Sequence, residues 1–370
     1  MTPTQRLPSA LTPLDAALAM LLDGVEPVAP VERLLAEAQG CIAAGMPPFR
    51  AVPASDIAAV DGWALVSRDL VGASSYSPLP LAQPPVWVEA GDEMPAGRDC
   101  ILDADLVEMA GPLAQVVAEG IPGKGVRRAG QDVAADTVIA AGQPLRAVDV
   151  LMARAAGLQT CAVRRPRLRL VNVPDASGKN LTASFIVEQA RASGLAVVRA
   201  DAQERDAASI VRALDAGAYD AVVTIGGTGV GRGDAAVAAL ATCGKVLAHG
   251  IALQPGRTAA VGRIGNIPVI ALPGAPDQAL AVWWTMAVPL LDRLSDRQAR
   301  KPVSLPLARK IASGVGISEI VLLREADGCW LPLATGELSL DAVARAEAWL
   351  AVPAASEGYA AGTPVAAYMM

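Results

Sequence analysis

A glycine-rich loop between a buried strand and a helix is the feature that most constrains this chain. The segment Asp220–Asp234 reads Asp-Ala-Val-Val-Thr-Ile-Gly-Gly-Thr-Gly-Val-Gly-Arg-Gly-Asp. Its apolar, β-branched run Ala221–Ile225 is typical of a strand that is buried on both faces. Asp234 is predicted to cap a helix that begins at Ala235. Between strand and helix, glycines allow a sharp turn and a close approach of backbone N–H groups to a ligand, at Gly226, Gly227, Gly229 and Gly231.

A strand, a glycine loop and a helix N-terminus together favour the binding of an anion, most often a phosphate. Two common phosphate motifs do not fit the segment. It lacks the Gly-Lys-Ser/Thr of a Walker loop, and its glycine spacing is not a clean dinucleotide fingerprint. A tight strand-to-helix turn without any ligand is therefore an open alternative at this point.

The composition excludes several classes of protein. The chain has 370 residues, of which 53% are hydrophobic and 18% charged, so we expect a globular protein of roughly two or three domains. A net charge of −6 and a pI near 5.0 argue against a nucleic-acid binder. No apolar stretch reaches membrane-spanning length and the first residues lack a signal-peptide pattern. We therefore expect a cytoplasmic protein without membrane association.

The five cysteines form neither a metal-binding pattern nor a disulfide framework in the sequence. They lie far apart, no Cys-x-x-Cys pair occurs, and the chain has one histidine, His249. We therefore expect buried free thiols. The usual zinc sites are excluded, and histidine-based acid–base catalysis is disfavoured.

Periodicity predicts helices near the N-terminus and short strands after them. The predicted helices are Thr12–Leu22, Val31–Ala44 and, further on, Val148–Ala156, which ends at Gly157. From residue 51 to about residue 132 the apolar period shortens to two and glycine and proline become frequent. Short strands are predicted there at Val86–Glu89 and Cys100–Leu102.

Strands alternate with helices in the region that contains the glycine loop, a pattern that predicts a parallel, helix-covered sheet. The predicted strands are Leu168–Val173, Leu195–Val198, Ala221–Ile225, Val246–Ala248 and Val269–Leu272. The predicted helices are Leu181–Ser193 with Asn180 as its cap, Ala207–Ala216 with Asp206 as its cap, and Asp277–Leu294. After Arg300 short strands return, at Val303–Leu307, Glu319–Arg324 and Trp330–Pro332.

Six motifs resemble those of one family and occur in that family's order. They are Val60-Asp-Gly-Trp-Ala, Gly91-Asp-Glu-Met-Pro-Ala-Gly, Gly125-Val-Arg-Arg-Ala-Gly-Gln-Asp, the glycine loop Ile225–Asp234, Pro255-Gly-Arg and Leu272-Pro-Gly-Ala-Pro. The family is the molybdopterin molybdenumtransferases, relatives of the gephyrin E domain, which insert molybdate into molybdopterin. One such motif is a weak signal, whereas six in order are a strong one.

The resemblance implies an elongated chain of four parts, an α/β fold with added β modules. Residues 11–50 and 133–165 would form a helical and β stalk, with a β module of residues 51–132 inserted between them. Residues 166–300 would form the parallel-sheet α/β domain that binds molybdopterin, and residues 301–370 a C-terminal β barrel. Family members are homodimers, so the resemblance places each active site between the glycine loop of one chain and the Asp61 and Arg127 segments of the other.

The resemblance also implies the substrates and the site residues. The substrates would be molybdopterin, in its adenylylated form, and molybdate, with a divalent cation such as magnesium as an aid. Asp61, Asp132, Asp206 and Asp234 match acidic family positions and are the predicted catalytic residues, and Asp61 and Asp234 are also the predicted metal ligands. The helix cap is the open alternative for Asp206. The predicted pterin and phosphate contacts are Gly226, Gly227, Thr228, Gly229, Gly231, Arg127, Arg128, Pro255, Gly256, Arg257, Pro273, Gly274 and Pro276.

The chain departs from the family pattern at several polar positions. Val173-Pro-Asp-Ala-Ser-Gly replaces a Thr-Gly-Asp-Glu segment, with Asp175 as a partial substitute. Ala90, Arg257 and Ala275 replace a threonine, a lysine and an asparagine. Loss of preorganised polar contacts weakens catalysis more than folding. Two hypotheses follow, a divergent molybdenumtransferase or a catalytically reduced chaperone that holds the cofactor for a client molybdoenzyme. An α/β protein that binds another nucleotide is a third, which the complete motif order disfavours.

Overall fold

The structure is a computed structural model and describes residues 5–110, 113–174, 181–215, 217 and 219–370. The predicted helix cap Asn180 and the predicted acidic substitute Asp175 lie outside these residues. Within the described part of the chain, no helix has both the length and the apolar character that a membrane crossing requires.

Short strands dominate the first 166 residues. Their elements are β1 (Thr12–Pro13), α1 (Leu14–Leu22), β2 (Val31–Leu34), β3 (Ile42–Ala43), β4 (Ile57–Ala58), β5 (Gly62–Leu65), β6 (Leu79–Pro80), β7 (Val86–Val88), β8 (Cys100–Leu102), β9 (Val107–Ala110), β10 (Leu113–Val116), β11 (Val126–Arg127), α2 (Ala147–Ala155) and β12 (Thr160–Arg164). The sheets are β2–β12–β3, β7–β5–β8, β6–β10–β9 and β11–β4. Helices α1 and α2 and strands β7 and β8 confirm the predictions made for those segments.

The predicted helix over Val31–Ala44 is wrong. Strand β2 pairs antiparallel with β12, a single 3₁₀ turn follows at Leu35–Glu37, and β3 pairs with the other edge of β12. The apolar spacing that suggested a helix comes from separate pieces, because Leu35, Ala38 and Ile42 are buried in the turn and in β3. The strand partner lies more than a hundred residues away, so it leaves no local signal in the sequence.

Apolar side chains that precede residue 51 in the sequence share one core with apolar side chains that follow residue 132. Leu35, Cys41, Phe49, Val133, Leu145 and Val163 pack together there. A second core, with Leu65, Leu70, Leu102 and Val116, lies within the segment of residues 51–132. The domain boundaries proposed from the sequence stay predictions.

The region after residue 166 contains a six-stranded mixed sheet covered by helices. Its elements, with strand β17 beside the sheet, are β13 (Arg167–Asn172), α3 (Leu181–Ala192), β14 (Ala196–Asp201), α4 (Ala207–Ala213), β15 (Ala221–Ile225), α5 (Ala236–Cys243), β16 (Lys245–His249), β17 (Ile251–Gln254), β18 (Ala260–Ile264), β19 (Ile267–Leu272), α6 (Pro276–Val282) and α7 (Val288–Leu294). A π-helical turn, Trp283–Ala287, joins α6 to α7, so the predicted long helix is confirmed with an irregular centre.

The strand order is β14–β13–β15–β19–β18–β16, and the fully parallel sheet predicted from the sequence is wrong at one edge. Strands β14, β13, β15 and β19 are parallel. Strand β18 pairs antiparallel with both β19 and β16, so β16 at the edge runs in the same direction as the four parallel strands. Strand β18 was not predicted. Its signal is the Gly265-Asn266 pair between two apolar runs, which favours a tight hairpin, and β18 and β19 pair across that turn.

Strand β15 is buried along its whole length, as its sequence predicts. One face packs in a core with Leu170, Ile186 and Leu280, and the other in a core with Val171, Ile210 and Leu240. The carboxyl ends of β13, β15 and β19 therefore meet at one edge, directly before Val173, Gly226 and Pro273.

The C-terminal strands form a sheet that also takes in β1 and β17. The elements are β20 (Val303–Pro306), β21 (Ile311–Ala312), β22 (Ser318–Ala326), β23 (Cys329–Thr335), α8 (Leu340–Arg345), β24 (Ala348–Val352), β25 (Gly358–Tyr359) and β26 (Pro364–Met369). The strand order is β1–β17–β22–β24–β26–β20, with β23 paired to β22. The three strands predicted here are confirmed, and closure of the sheet into a barrel stays a prediction.

The end of α3 packs tightly against the N-terminal region at Gly194. This glycine has φ +78°, and an added Cβ would approach the backbone N of Cys41 at 2.3 Å. Gly157 follows α2 with φ +87° and has nothing within 4 Å of an added Cβ. We expect Gly157→Ala to lower the free energy of unfolding by about 1 kcal/mol through backbone strain alone.

Gly194→Ala should cost about 3 kcal/mol, because overpacking adds to the same backbone strain. Denaturant unfolding of both variants measures the difference. Equal losses would show that the contact between α3 and the N-terminal region is not held tightly in solution.

Candidate active site

A cavity of about 580 Å³ lies at the carboxyl ends of β13, β15 and β19. The chain leaves β13 toward β14 on one side and later enters β15 on the other side, so the strand order reverses between β13 and β15. Ligands of open α/β sheets bind at such a reversal. The residues that line the cavity include those that directly follow the three strands, among them Val173, Gly226–Gly229 and Pro273–Pro276.

Three consecutive backbone N–H groups of the glycine loop are available to a ligand. Those of Gly227, Thr228 and Gly229 donate to no residue within the described ranges, whereas Gly226 N donates to the Leu272 carbonyl at 2.9 Å. Gly226 and Gly227 have φ of +96° and +71°, which explains the glycines there. Thr228 is only 2% exposed, and a buried N–H group that donates to no described residue is costly to leave without an acceptor. Successive N–H groups of this kind form an anion-binding concavity.

The predicted helix cap at Asp234 is wrong. Helix α5 begins at Ala236, and its N-cap residue makes no side-chain hydrogen bond. The Asp234 carboxylate turns back onto the loop instead, where Oδ2 accepts from Gly231 N at 2.9 Å and Oδ1 accepts from Arg205 Nη2 at 2.8 Å. The Asp234 side chain therefore stabilises the bend of the glycine loop and not the start of helix α5.

The N-terminus of α5 is not open to a phosphate either. Ala236 N donates to the Gly227 carbonyl at 2.9 Å, and Val237 N and Ala238 N donate to Gln5 Oε1 at 2.8 and 3.1 Å. The anion site predicted at the helix therefore shifts to the loop N–H groups. Sequence reasoning missed Gln5, because it lies more than two hundred residues before the loop.

Hydrogen bonds between loops fix the cavity wall. Thr228 Oγ1 lies 3.2 Å from Thr258 Oγ1, and His249 Nε2 lies 3.1 Å from the Thr228 carbonyl oxygen. Thr182 Oγ1, on α3, donates to the Gly274 carbonyl at 2.8 Å. The one histidine thus supports the loop without lining the cavity itself.

A second cavity, of about 890 Å³, adjoins the first. Three residues line both cavities: Thr258, Pro276 and Gln278. The walls of the second cavity are the turn Gln254–Thr258, the start of α6 at Pro276–Gln278 and the C-terminal segment Gly336–Leu340, and they include the carboxylates of Asp277 and Glu337. Arg257 is the one cationic side chain among its lining residues. The predicted ligand contacts therefore divide, with Pro273 and Gly274 in the first cavity and Pro255, Gly256 and Arg257 in the second.

The remaining predicted site residues lie in the N-terminal region. Because β4 pairs with β11, the segments that carry Asp61 and Arg127 meet. Asp61 Oδ1 accepts from Ala90 N at 2.8 Å, and Arg127 forms an ion pair with Asp132 at 2.8 Å. Neither these residues nor Arg128 line either cavity. One chain thus holds two separate groups of predicted site residues.

Arg205 is a cavity residue that sequence reasoning did not identify. Besides the ion pair with Asp234, its guanidinium donates to the carbonyls of Gly233 at 3.2 Å and Pro174 at 3.1 Å. It follows β14, whose end lies at the same edge of the sheet as the glycine loop. The available signal was its place directly before Asp206, after a predicted strand.

Comparison with known proteins agrees with this geometry. Residues 12–157 match the family described as "MoeA N-terminal region (domain I and II)", and residues 169–293 match the "Probable molybdopterin binding domain". A Mycobacterium tuberculosis protein named Molybdopterin molybdenumtransferase 2 is 30% identical over 292 residues, which cover 68% of this chain and 72% of that protein. The chain belongs to the molybdopterin molybdenumtransferase family.

Other relatives extend this similarity over more of the chain. The Molybdopterin molybdenumtransferase of Synechococcus elongatus is 26% identical over 361 residues, 85% of this chain and 88% of that protein. The crystal structure of a molybdopterin biosynthesis MoeA protein from Pyrococcus horikoshii OT3 matches with a TM-score of 0.67 at 21% identity, over 97% of this chain and 100% of that one. The last match shows the fold alone.

Family membership confirms the resemblance that the six motifs predicted. With it, the assignment to molybdenum cofactor biosynthesis as a transferase is confirmed, and the alternative of a cofactor-binding chaperone is not favoured.

Asp206 lies at the start of α4, as the alternative of a helix cap predicted. Its carboxylate accepts from Ser209 N at 2.8 Å, and this backbone hydrogen bond lowers the pKa of Asp206 below 3.8. The helix ends at Ala213, three residues before its predicted end. Asp206 does not line either cavity, so its position supports a helix cap.

We expect Asp206→Ala to lower the midpoint of thermal unfolding at pH 7 without changing ligand binding. The lowered pKa stabilises the fold above pH 3.8, and this contribution is lost as the pH falls through the pKa of the folded state. The difference between the midpoints of wild type and Asp206→Ala should therefore be smaller in acid, where only the weaker cap of a neutral carboxyl group remains. Asp206→Asn is the matched control, since asparagine also caps helices but carries no charge. If a stable Asp206→Asn variant lost the transferase activity, Asp206 would have a catalytic role and the helix-cap account would be insufficient.

All five cysteines are free thiols. Cys41, Cys100 and Cys161 are buried as predicted, while Cys243 and Cys329 are partly exposed. Burial raises the pKa of Cys100 and of Cys161 to about 11, so these thiols stay protonated at neutral pH. Among the described residues, no group of three or more His, Cys, Asp or Glu side chains is arranged to hold a metal ion.

Proposed function

We propose that this chain inserts molybdate into adenylylated molybdopterin: the two dithiolene thiols bind molybdenum as one molybdate oxygen leaves as water, and a water molecule cleaves the phosphoanhydride bond to release the adenylate. The observation that carries the proposal is the row of free N–H groups at Gly227, Thr228 and Gly229, which faces no acceptor from the described residues. The relatives named molybdopterin molybdenumtransferase support the choice of substrates. The proposal keeps the cytoplasmic location that the sequence predicts.

The first cavity would hold the phosphates of the substrate. Donors fixed by the backbone need no rearrangement when a charged ligand arrives, which makes them effective in a water-poor site. The wall hydrogen bonds of Thr228 and Thr182 keep the loops Gly226–Gly229 and Pro273–Pro276 in place while the ligand is bound. The dithiolene end of the substrate then extends toward the second cavity, past Thr258 and Gln278.

The second cavity would hold molybdate. Arg257 presents a guanidinium group, whose fork of N–H donors suits the oxygens of a tetrahedral oxyanion. Because the two cavities adjoin, an oxyanion at Arg257 lies next to a pterin anchored by its phosphates. Positioning of the two reactants is the main contribution of these residues.

A second copy of the chain would complete the site. Asp61, Asp132, Arg127 and Arg128 are polar residues of family motifs, yet they line neither of the two cavities described above. Asp61 and Arg127 lie together on the surface near the β4–β11 pair. We propose a homodimer in which this surface faces the cavities of the partner, where the carboxylates can orient water and the arginines can bind phosphate.

The residues around Asp234 do not fit the divalent cation expected from the family. Both carboxylate oxygens of Asp234 already accept hydrogen bonds, from Arg205 and from Gly231 N. The positive charge beside the carboxylate is therefore a guanidinium, and a magnesium ion would have to displace it. Asp61, the other predicted ligand, lines neither cavity. No step of the proposal passes through a metal cofactor.

We expect wild-type protein to bind ADP with equal affinity in magnesium and in EDTA, to within about twofold, because Arg205 supplies the positive charge at Asp234. Arg205→Ala leaves the carboxylate uncompensated, so ADP binding in EDTA should weaken at least about tenfold and magnesium should restore part of it. Isothermal titration calorimetry measures both affinities. Arg212→Ala, a change to a nearby arginine that lines neither cavity, is the control. A wild-type protein that binds ADP only with magnesium would contradict this account.

The function is tested by reconstitution with adenylylated molybdopterin and molybdate, with active cofactor as the readout. Wild-type protein should be active, and Asp61→Ala and Gly229→Val should each be inactive. An added side chain at Gly229 would meet the Asp234 carboxylate at 2.6 Å and disturb the loop.

A one-to-one mixture of the two inactive chains should regain about a quarter of wild-type activity, because random pairing gives one intact shared site in half of the dimers. Inactive wild-type protein would contradict the proposed reaction. An inactive mixture in which heterodimers form would contradict only the shared site.

A further inference from the structure

The side chain of Gln5 joins the glycine loop to helix α5. Its Nε2 donates to the carbonyls of Gly227 at 3.0 Å and Gly229 at 2.8 Å. Its Oε1 accepts from Val237 N at 2.8 Å and Ala238 N at 3.1 Å. A primary amide has two donor hydrogens and two acceptor lone pairs, so all four positions of Gln5 are used.

These bonds determine which way the peptide groups of the loop point. In a trans peptide the C=O and the following N–H point in opposite directions. Because Gln5 holds the carbonyls of Gly227 and Gly229, the N–H groups of Thr228 and Val230 point away from Gln5. Thr228 lines the cavity and Gln5 does not, so Gln5 holds the loop from the outer side and turns the Thr228 donor inward.

The loop needs such a restraint. Glycine adopts positive and negative φ about equally well, so the peptides at Gly226 and Gly227 have no intrinsic preference for the ligand-binding orientation. We infer that Gln5 is a positioning residue, which holds the Thr228 N–H group of the glycine loop in the orientation that binds the substrate phosphates. The inference rests on the proposed function, in which the Thr228 N–H group is part of the phosphate site.

The segment that carries Gln5 is itself anchored. Thr12 N donates to the Gly250 carbonyl at 2.9 Å, and β1 pairs with β17. Gly250 has φ +85°, and an added Cβ there would contact Leu7, Pro8 and Leu11 at 3.1 to 3.2 Å. The chain between Gln5 and β1 is thus held against the α/β domain on its way to the loop.

Two substitutions separate positioning from simple helix capping. Gln5→Glu keeps an acceptor for Val237 N and Ala238 N and adds a negative charge that the helix N-terminus favours. It removes both donors and places a carboxylate against two carbonyl oxygens. We expect an unchanged midpoint of thermal unfolding and ADP binding weakened about tenfold or more. Gln5→Ala removes both the acceptor for the helix N–H groups and the donors for the loop carbonyls. It should lower the midpoint of thermal unfolding by about 2 °C and also weaken ADP binding.

ADP affinity is measured by isothermal titration calorimetry and the midpoint by thermal melts of the full chain. Ser9→Glu, which adds the same charge at an exposed position of the same segment, is the control and should bind ADP like wild type. Wild-type ADP affinity in Gln5→Glu would overturn the inference and leave Gln5 as a helix cap, with the proposed function intact. Failure of wild-type protein to bind ADP would overturn the phosphate site and, with it, this inference.

Discussion

The complete burial of β15 is the constraint on which the rest of the structure depends. Helices cover both faces of β15, and its two edges pair with β13 and β19, so the strand lies in the middle of the sheet. The strand order reverses beside it, so the loops after three strands diverge and leave a cavity between them. The glycine loop is the backbone that leaves this central strand. Its position is therefore as fixed as the core itself.

Local sequence signals predicted the strands and helices that stabilise themselves by nearby contacts. Ala221–Ile225 is apolar and β-branched throughout, and Asp206 precedes a helix and caps it. Partners that come from distant parts of the chain left no such signal. Val31–Leu34 is a strand only because β12 lies beside it, and Gln5 reaches the loop only because β1 pairs with β17. Asp234 was mispredicted for the same reason, because it forms an ion pair with Arg205 and does not cap the helix that follows it.

The sequence predicted the motifs of the candidate site better than it predicted which of these motifs lie together in space. Gly226–Gly229 and Pro273–Pro276 line one cavity, as their order after neighbouring strands suggests. Arg257 lines the next cavity, and its C-terminal wall, Gly336–Leu340, carries no motif at all. Asp61 and Arg127 lie in a third place, because short strands of the N-terminal region bring their segments together. Sequence order contains no information on such distances.

Strand β17 gives the protein a mechanical link between its parts. It runs from Ile251 to Gln254, hydrogen-bonds to β1 on one side and to β22 on the other, and leads straight into the turn that carries Arg257. Because β17 belongs to this sheet, any displacement of β22 would be transmitted to it through their shared hydrogen bonds. The displacement would then reach the Arg257 turn along the chain and the segment that carries Gln5 through β1. A substitution at the contact between β17 and β22 is therefore expected to affect both places together.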